Sequence, residues 1–324
     1  MDFEPHPLIR SPHLQTLLSS RLARQFDGVG SALTSAAERV EVPCRDGVRL
    51  HAVINRGAEG APLVVLMHGW FGRADSPYLR GSTTALHAAG FAVARLLLRD
   101  HDGTAALNEA IFHGGRVDEV ADGIRWLVTR YGSNGAGLMG YSLGGNLLIR
   151  ALAQGGWPAS IRSALVVCPV IDPGQVIEHL DRGWAGYRAY FMRKWRRALA
   201  EKQAAFPHLY DFEPASRLSL AGSLTDYFVA RYTPYVSSRE YFKAQTVEPS
   251  HLDVLDVPLR ILAAEDDPVV PVAGLRRLAR HRHDLVRLTP HGGHCAFIED
   301  FRLRSALDRH AVSYFEATVR ESPC

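Results

Sequence analysis

Ser142 has the side chain in this sequence that is best suited to covalent chemistry. It lies in the middle of the segment 140–144, which has the sequence GYSLG. An apolar, strand-like run at 136–139 precedes it, and residues 143–154 have the apolar spacing of a helix. This order predicts a sharp strand-to-helix turn that exposes the Ser142 hydroxyl, with both glycines leaving room for neighbouring backbone. The alternative interpretation is an ordinary glycine-rich turn.

A serine hydroxyl becomes an effective nucleophile when a base takes its proton, so a histidine is expected later in the chain. His294 follows Gly292 and Gly293 and comes after a strand-like run at 285–288. The paired glycines leave this loop free to aim the imidazole, which favours His294 as the base. His291, three residues earlier, is the alternative.

A carboxylate that orients this base is expected after the strand-like run at 259–264. Three adjacent acids follow that run, at positions 265–267. We predict Asp267 as the acid, because it begins an Asp-Pro-x-x-Pro turn, and Asp266 would then face away. Asp266 is the main alternative, and Asp172, which follows the preceding strand, is a minor one.

Acyl transfer also needs donors for the negative charge that develops on the carbonyl oxygen. The segment 68–72, with the sequence HGWFG, directly follows an apolar strand-like run at 63–67. We expect one donor from its backbone, at the amide of Trp70 with the amide of Phe71 as the alternative. The second donor is expected at the amide of Leu143, the residue after the serine.

The same two segments also predict the first substrate contacts, for which we select Phe71, Tyr141 and His68. A metal site is not expected. The 15 histidines include no HExxH pattern and no cluster with cysteine. The closely spaced His281 and His283 are interpreted as a solvated helix end. We predict neither a metal nor another cofactor.

Composition sets limits on the partners and the environment. The net charge is +3 and the only lysines are Lys194, Lys202 and Lys243, so we expect no nucleic-acid partner. The four cysteines are widely spaced, which favours free thiols in a reducing cytoplasm, with a disulfide as the alternative. The N-terminus has no signal-peptide pattern, and the longest apolar runs have the length of strands. We therefore expect a soluble, cytoplasmic protein.

Strand-like and helix-like segments alternate over most of the chain, which predicts an α/β class fold with a mostly parallel, doubly wound sheet. Residues 1–37 form a leader without a clear period. The alternation stops between residues 172 and 256, an aromatic-rich stretch. We predict a core of residues 1–171 and 257–324, with an inserted helical cap of residues 172–256. The basic, aromatic segment at 184–199 is interpreted as a lid helix over the site, with peripheral membrane contact as the alternative.

Taken together, these motifs resemble the YheT-like branch of the α/β-hydrolase superfamily over nearly the whole chain. The segments that carry the resemblance are Pro12-His13-Leu14-Gln15-Thr16, His68-Gly69-Trp70-Phe71-Gly72, Phe112-His113-Gly114-Gly115, Gly140-Tyr141-Ser142-Leu143-Gly144-Gly145-Asn146, Leu224-Thr225, Glu240-Tyr241-Phe242, Asp266-Asp267-Pro268 and Gly292-Gly293-His294. The resemblance implies the α/β-hydrolase fold and an activity similar to carboxylesterases, whose relatives act on lipid or medium-chain acyl esters. One loop departs from the family, because residues 99–103 read RDHDG where members often have an Arg-Gly turn. For His13 and His113, structural hydrogen bonding is expected.

The sequence therefore predicts a serine hydrolase that cleaves a hydrophobic ester through an acyl-enzyme intermediate. Transfer of the acyl group to an alcohol would use the same side chains. A binding protein that keeps the fold without catalysis is the alternative from a different class, although a binder has no need of a nucleophile, base, acid and oxyanion donors together. The sequence gives no oligomeric state.

Overall fold

The computed structural model describes residue 1, residues 3–20, residue 33 and residues 35–320. Within them the chain forms an eight-stranded sheet in the order β1-β2-β4-β3-β5-β6-β7-β8. The strands are β1 (Glu38–Pro43), β2 (Arg49–Asn55), β3 (Leu63–Met67), β4 (Ala92–Leu97), β5 (Ala136–Tyr141), β6 (Ile161–Val167), β7 (Leu259–Ala264) and β8 (Val286–Thr289). Strand β2 runs antiparallel to both β1 and β4, and the remaining neighbours are parallel.

Helices connect these strands and pack around the sheet. They are α1 (Pro12–Ser20), α2 (Pro77–Ala88), α3 (Val117–Tyr131), α4 (Leu143–Leu152), α5 (Pro173–Arg182), α6 (Ala185–Ala205), α7 (Ala221–Tyr232), α8 (Ser238–Lys243), α9 (Pro249–Asp253), α10 (Val272–His281) and α11 (Ala306–Phe315). None of the helices in the described residues combines the length and the apolar composition that crossing a membrane would require.

The predicted α/β architecture is confirmed, and the apolar runs of the sequence explain it. All five residues of β3 are buried, as expected for a strand covered on both faces. In α3 the buried residues Val120, Ile124 and Leu127 share one face, which packs on the sheet. Burying each large aliphatic side chain contributes about 1.5–3 kcal/mol. The main apolar core is therefore the sheet with its flanking helices.

The turn between β1 and β2 follows from its Asp-Gly pair. Asp46 and Gly47 have φ values of 56° and 71°, the left-handed conformations that such a tight hairpin requires. The amide of Cys44 donates to the carbonyl of Val48, which closes the hairpin at 2.8 Å. An Asp-Gly turn between the strand-like runs at 39–42 and 50–54 predicts that they pair antiparallel, and the observed register confirms it.

The final helix begins later than predicted. The apolar spacing after residue 302 predicts a helix from about Leu303 to Val319. Leu303 has a φ of 59°, which is incompatible with a helix at that residue. Ser305 instead pairs with Ile298 in an isolated antiparallel bridge, and α11 starts at Ala306. The apolar spacing continues into the loop before α11, which is why it predicts a longer helix. The conformation of this loop is set by its hydrogen bonds with residues 297–299.

The parallel strands place the candidate site at their carboxyl ends. The connection from β3 leads to β4 and the connection from β5 leads to β6, and these two strands lie on opposite sides of the β3–β5 pair. In open α/β sheets, ligand crevices form at this change of direction. The loops after β3, β5, β7 and β8 all reach this edge.

Five helices between β6 and β7, from α5 to α9, lie over that edge within residues 172–256. Their apolar side chains form a second buried cluster, separate from the sheet core. In α6 the side chains of Tyr187, Trp195 and Leu199 are buried in the protein. The aromatic side of this helix therefore packs inward, which favours the lid interpretation over a membrane-facing surface.

Candidate active site

Ser142 lies at the tight turn between β5 and α4. Its φ of 52° is in the left-handed region, which is strained for a residue with a side chain. Three backbone hydrogen bonds hold this conformation. The Ser142 amide donates to the carbonyl of Val167 at 2.9 Å, and its carbonyl accepts from the amides of Asn146 and Val170 at 3.0 and 3.2 Å. The turn thereby holds the serine in a fixed, strained conformation at the edge of the sheet.

The glycines on either side of the serine are required by close backbone contacts. A Cβ atom on Gly144 would lie 2.4 Å from the carbonyl oxygen of His68. On Gly140, it would lie 2.8 Å from the carbonyl oxygen of Gly144. Since real Cβ atoms do not approach backbone this closely, neither position accepts a larger residue without moving the turn.

His294 bridges the serine and a buried carboxylate. Its Nε2 atom lies 3.0 Å from Oγ of Ser142, and its Nδ1 atom lies 2.7 Å from Oδ2 of Asp267. The Asp267 side chain is fully buried, whereas that of His294 keeps 14% exposure. The amides of Val269 and Val270 donate to the other oxygen of Asp267, at 2.8 and 2.9 Å. These two bonds orient the carboxylate so that Oδ2 faces the imidazole.

The alternative residues have other partners. The Asp266 carboxylate accepts a hydrogen bond from the Gly293 amide at 2.9 Å, and its second oxygen lies 3.3 Å from Nδ1 of His291. The Asp172 side chain caps the first turn of α5. The structure therefore brings Asp267 and His294 to the serine, and it pairs Asp266 with His291 beside them.

The loop that carries His294 is held by the N-terminal helix α1. The His294 amide donates to Oγ1 of Thr16 at 2.9 Å, and Oγ of Ser19 donates to the His294 carbonyl at 3.4 Å. Gly293 has a φ of 56°, and a Cβ atom there would lie 2.8 Å from the carbonyl oxygen of Pro12. The leader that had no clear period in the sequence therefore supports the candidate base directly.

Three backbone amides in the two segments next to the serine have no acceptor in the described part of the chain. A Cβ atom on Gly69 would lie 3.1 Å from Cβ of Ser142, so the segment 68–72 packs against the serine. The amides of Trp70 and Phe71 have no hydrogen-bond acceptor among the residues that the structure describes. Leu143 is the first residue of α4, where an amide has no acceptor within its own helix. This end of the helix also carries its positive partial charge.

His68 is a core histidine. Its ring is fully buried, and its Nδ1 atom lies 2.8 Å from the carbonyl oxygen of Gly69. Its Nε2 atom accepts from the amide of Leu98 at 3.1 Å, so the hydrogen must be on Nδ1 and the ring is neutral. Burial lowers the pKa of His68 to about 4. The predicted substrate contact is therefore wrong for this side chain, which lines neither cavity at Ser142.

Tyr141 is also a core residue. Its side chain is fully buried, and its hydroxyl lies 2.6 Å from Oγ of Ser82. Side chains alternate between the two faces of a strand, so a residue next to the serine in sequence need not share its surroundings. Tyr141 lines neither of the cavities that reach the serine, and its predicted contact with substrate is wrong as well.

Two cavities meet at Ser142. The first, with a volume of about 120 Å³, runs between the sheet and the inserted helices. Its walls are mainly apolar and include Phe71, Ile111, Val176, Ile177, Leu180 and Phe191. The second, of about 380 Å³, also contacts His294 and contains more polar groups, including Tyr187, Tyr190 and Lys194. Trp70 lies on the walls of both cavities.

Comparison with known proteins places this arrangement in a family. The profile of the alpha/beta hydrolase fold matches residues 62–301, which include the serine, the acid and the histidine. The chain belongs to the alpha/beta hydrolase family. The resemblance that its motifs indicated is confirmed.

Similar alpha/beta hydrolases include proteins from bacteria, animals and archaea. The YheT protein of Escherichia coli (strain K12), which bears the name of an esterase, is 28% identical over 92% of this chain and 87% of its own. Abhydrolase domain-containing protein 2 of Drosophila melanogaster is 22% identical over 90% of this chain and 80% of its own. The structure of the Pyrococcus furiosus esterase Pf2001 superposes with a TM-score of 0.59 at 16% identity, covering 90% and 97% of the two chains. At this identity, the likeness to Pf2001 shows the fold alone.

The loop that departs from the YheT-like pattern connects the hydrolase sheet to the inserted helices. Lys202 of α6 is fully buried, and its Nζ atom donates to Oδ1 of Asp100 at 2.9 Å and to the carbonyl of Ala105 at 3.1 Å. Burial lowers the pKa of Lys202 and raises that of Asp100, and the attraction between the two charges opposes both shifts. The departure from the family pattern thus provides an ion pair that fixes α6 over the first cavity.

Thr16, Ser19 and Lys202 are the contributors to this site that sequence reasoning missed. The first two lie in or beside the Pro-His-Leu-Gln-Thr segment that carried part of the resemblance. That segment is the feature of the sequence that could have indicated a role for α1. Nothing in the sequence indicates the role of Lys202, because its partner Asp100 is 102 residues away in the chain.

Proposed function

We propose that this chain is a serine esterase that cleaves carboxylic esters with an apolar acyl part. The observation that carries the proposal is the continuous hydrogen-bonded series from Asp267 through His294 to Ser142, with distances of 2.7 and 3.0 Å. These distances allow direct proton transfer between the serine and the imidazole. The name of the Escherichia coli relative, an esterase, agrees with this proposal.

In the first step, Oγ of Ser142 attacks the ester carbonyl while Nε2 of His294 takes its proton. The buried carboxylate of Asp267 accepts a hydrogen bond from Nδ1, which leaves the lone pair of Nε2 facing the serine. The same carboxylate stabilises the imidazolium that forms. The fixed, strained conformation of Ser142 keeps the hydroxyl in place before the substrate binds.

The negative charge that develops on the carbonyl oxygen needs prepared donors. We assign the amides of Leu143 and Trp70 to this role. The first is oriented by the start of α4, and the second by the packing of Gly69 against Ser142. Removing one such donor typically costs about 10²–10³ in kcat.

The intermediate then breaks down in two stages. His294 gives its proton to the leaving alkoxide, so the alcohol departs and the acyl group remains on Oγ of Ser142. A water molecule then attacks the acyl-enzyme, with the same Nε2 atom taking a proton from it and returning it to the serine. The products are a carboxylic acid and an alcohol, and the enzyme regains its starting state.

The two cavities suggest how the ester is oriented. The walls of the first cavity are mainly apolar, which suits an acyl chain. The second is larger and contains tyrosine hydroxyls and Lys194, which suits the alcohol part and its entry from solvent. We further propose that residues 172–256 act as a cap that supplies much of the first cavity, over a core of residues 1–171 and 257–324.

Hydrolysis of p-nitrophenyl esters from acetate to palmitate tests this function. We expect turnover by the wild type and a loss of at least about 10³-fold in Ser142→Ala, because the covalent route is removed. Ser133→Ala removes an exposed serine in the loop before β5 and should retain wild-type rates. If Ser142→Ala kept its rate, or if the folded wild type hydrolysed no ester in the series, the proposal would be wrong.

A further inference from the structure

Two thiols lie beside the imidazole of His294. Cys168 directly follows β6, and Cys295 follows His294 in the chain. Their exposed fractions are 0% and 4%. One ring nitrogen of His294 and the two Sγ atoms all lie within 4.8 Å of one another. Three potential ligand atoms are therefore brought together by a strand end and a loop that are far apart in the sequence.

This set of atoms has the chemistry of a site for a soft cation. Sulfur and imidazole ligands suit Zn²⁺ and similar thiophilic ions, whereas Mg²⁺ and Ca²⁺ prefer oxygen. In tetrahedral coordination with a metal–sulfur distance of about 2.3 Å, two sulfur ligands lie about 3.8 Å apart. That separation falls within the observed span of 4.8 Å. Three protein ligands would leave the fourth position to water.

The second cavity provides a route for such an ion. His294 and Cys295 both line this cavity of about 380 Å³, together with Ser142. Cys168 lies directly behind them, since the Cys295 amide donates to its Sγ atom at 3.4 Å. The thiol of Cys168 makes a weak contact with the carbonyl oxygen of Gly293, at 3.8 Å.

We propose that Cys168, Cys295 and His294 form a binding site for a thiophilic divalent cation of the Zn²⁺ type, and that its occupation switches off the active site. Both nitrogens of His294 are already used, one by Asp267 and one by Ser142. A metal on either nitrogen therefore breaks one of the two hydrogen bonds. This inhibitory consequence rests on the proposed function, whereas the binding site does not.

The binding step is balanced without an oxidant or a further reactant. The cation forms two metal–sulfur bonds and one metal–nitrogen bond. Two S–H bonds break, and both protons pass to the solvent. Removal of the metal by a chelator reverses the step and returns the imidazole to Asp267 and Ser142. The thiol pair thus makes the base sensitive to the free concentration of the cation.

Titration with Cd²⁺, followed by its thiolate-to-metal absorption in the ultraviolet, tests the site without any assay of activity. The background is a Cys44→Ala/Cys324→Ala variant, in which only the two proposed thiols remain; Cys324 lies outside the described residues. We expect one equivalent to bind with an absorption that indicates two thiolates. Failure of this variant, folded and reduced, to bind Cd²⁺ would overturn the proposal.

Each ligand has its own variant. Cys168→Ala, Cys295→Ala and His294→Ala should each weaken Cd²⁺ binding by at least about tenfold, since even outer-shell partners of metals contribute that much. Cys168→Ser and a thermal unfolding curve guard against a folding defect caused by the buried alanine. Unchanged affinity in His294→Ala would contradict a site that includes the base.

The final comparison separates this inference from the proposed function. Ser142→Ala should bind Cd²⁺ at least as tightly as the wild type, because the serine is not a ligand and its hydrogen bond to His294 competes with the metal. This should hold whether or not the chain is an esterase. In active enzyme, Zn²⁺ should remove ester hydrolysis and a chelator should restore it. Cys168→Ala should retain at least about tenfold more of its own activity at the same Zn²⁺ concentration. Equal inhibition of both proteins would contradict inhibition through this site.

Discussion

Asp267 and Asp266 are neighbours in the chain but hydrogen-bond to different histidines. Oδ2 of Asp267 lies 2.7 Å from Nδ1 of His294, and Oδ2 of Asp266 lies 3.3 Å from Nδ1 of His291. The Asp267 side chain is fully buried, whereas that of Asp266 keeps 17% exposure. The two acids therefore have separate tasks. The first orients the candidate base, and the second holds the loop through the Gly293 amide.

Replacing each acid by its amide distinguishes these tasks. In Asp267→Asn, the amide group no longer accepts from Nδ1 as a carboxylate does, so His294 adopts the wrong tautomer. We expect kcat for ester hydrolysis to fall by about 10⁴. In Asp266→Asn, the remaining carbonyl oxygen still accepts from Gly293, and kcat should stay within a few-fold of the wild type. A larger effect of Asp266→Asn than of Asp267→Asn would reverse our assignment.

Thr16 is not a catalytic group, but its hydrogen bond with the His294 amide predicts that it positions the base. Thr16→Val removes the acceptor at 2.9 Å and leaves the His294 amide without a partner. A lost acceptor of this kind costs about 1–3 kcal/mol, so we expect kcat/KM to fall about tenfold, with KM nearly unchanged. Thr84→Val is the matched control, because Thr84 makes the same bond to its own helix and none to the site. Equal rates in the two variants would show that α1 does not position the base.

The first cavity predicts a preference in acyl chain length. Val176→Trp places a large side chain in the wall of this cavity and should exclude the end of a long chain. At about 0.8 kcal/mol per methylene, excluding two methylenes lowers kcat/KM for long esters about fifteenfold. Acetate should be hydrolysed at nearly the wild-type rate. Val236→Trp, at a position with 87% exposure, is the control for the substitution itself. A parallel loss for short and long esters in Val176→Trp would place the acyl chain elsewhere.

Buried histidines predict that acid destabilises the fold. Burial lowers the pKa of His68 to about 4 and those of His101 and His113 to about 3, from an ordinary value of 6.5. Between these values the unfolded chain binds protons that the folded chain does not bind. Stability should therefore be full above pH 6.5 and fall as the pH drops toward 4. These three histidines alone contribute a slope of about 4 kcal/mol per pH unit near pH 5.

Urea unfolding at a series of pH values measures this slope. His113→Asn should reduce it by about 1.4 kcal/mol per pH unit, because the unfolded chain then binds one proton fewer. His208→Asn, at an exposed position, serves as the control and should leave the slope unchanged. A free energy of unfolding that stayed constant from pH 6.5 to 4.5 would contradict the neutral, buried state of these histidines.

The parts of the fold that follow local rules could be predicted from the sequence. The buried strands appear as continuous apolar runs, and Ser142 stands out because such a run ends directly before it. The order of strands in the sheet and the late start of α11 depend on contacts between distant residues. A single sequence does not contain those contacts, which is why the segment from Leu303 was predicted as helix.

The site residues also divide into features that local sequence predicts and features that depend on contacts between distant residues. Asp267 was favoured over Asp266 by its turn, but only the amides of Val269 and Val270 determine which carboxylate faces the base. His68 was assigned to the substrate because it begins a segment that reaches the site. The direction of the His68 side chain depends on its hydrogen bond with the amide of Leu98. That residue is distant in the sequence, so the contact cannot be recognised from the sequence alone.

The central claim is that Ser142 is a nucleophile activated by His294, and covalent labelling tests it most directly. The folded wild type would be treated with a serine-directed fluorophosphonate, and the modified peptide identified by mass spectrometry. We predict a single adduct on Ser142, with none in Ser142→Ala and labelling slowed by at least about 10³-fold in His294→Ala. An adduct on another serine, or no adduct on folded wild-type protein, would contradict the account.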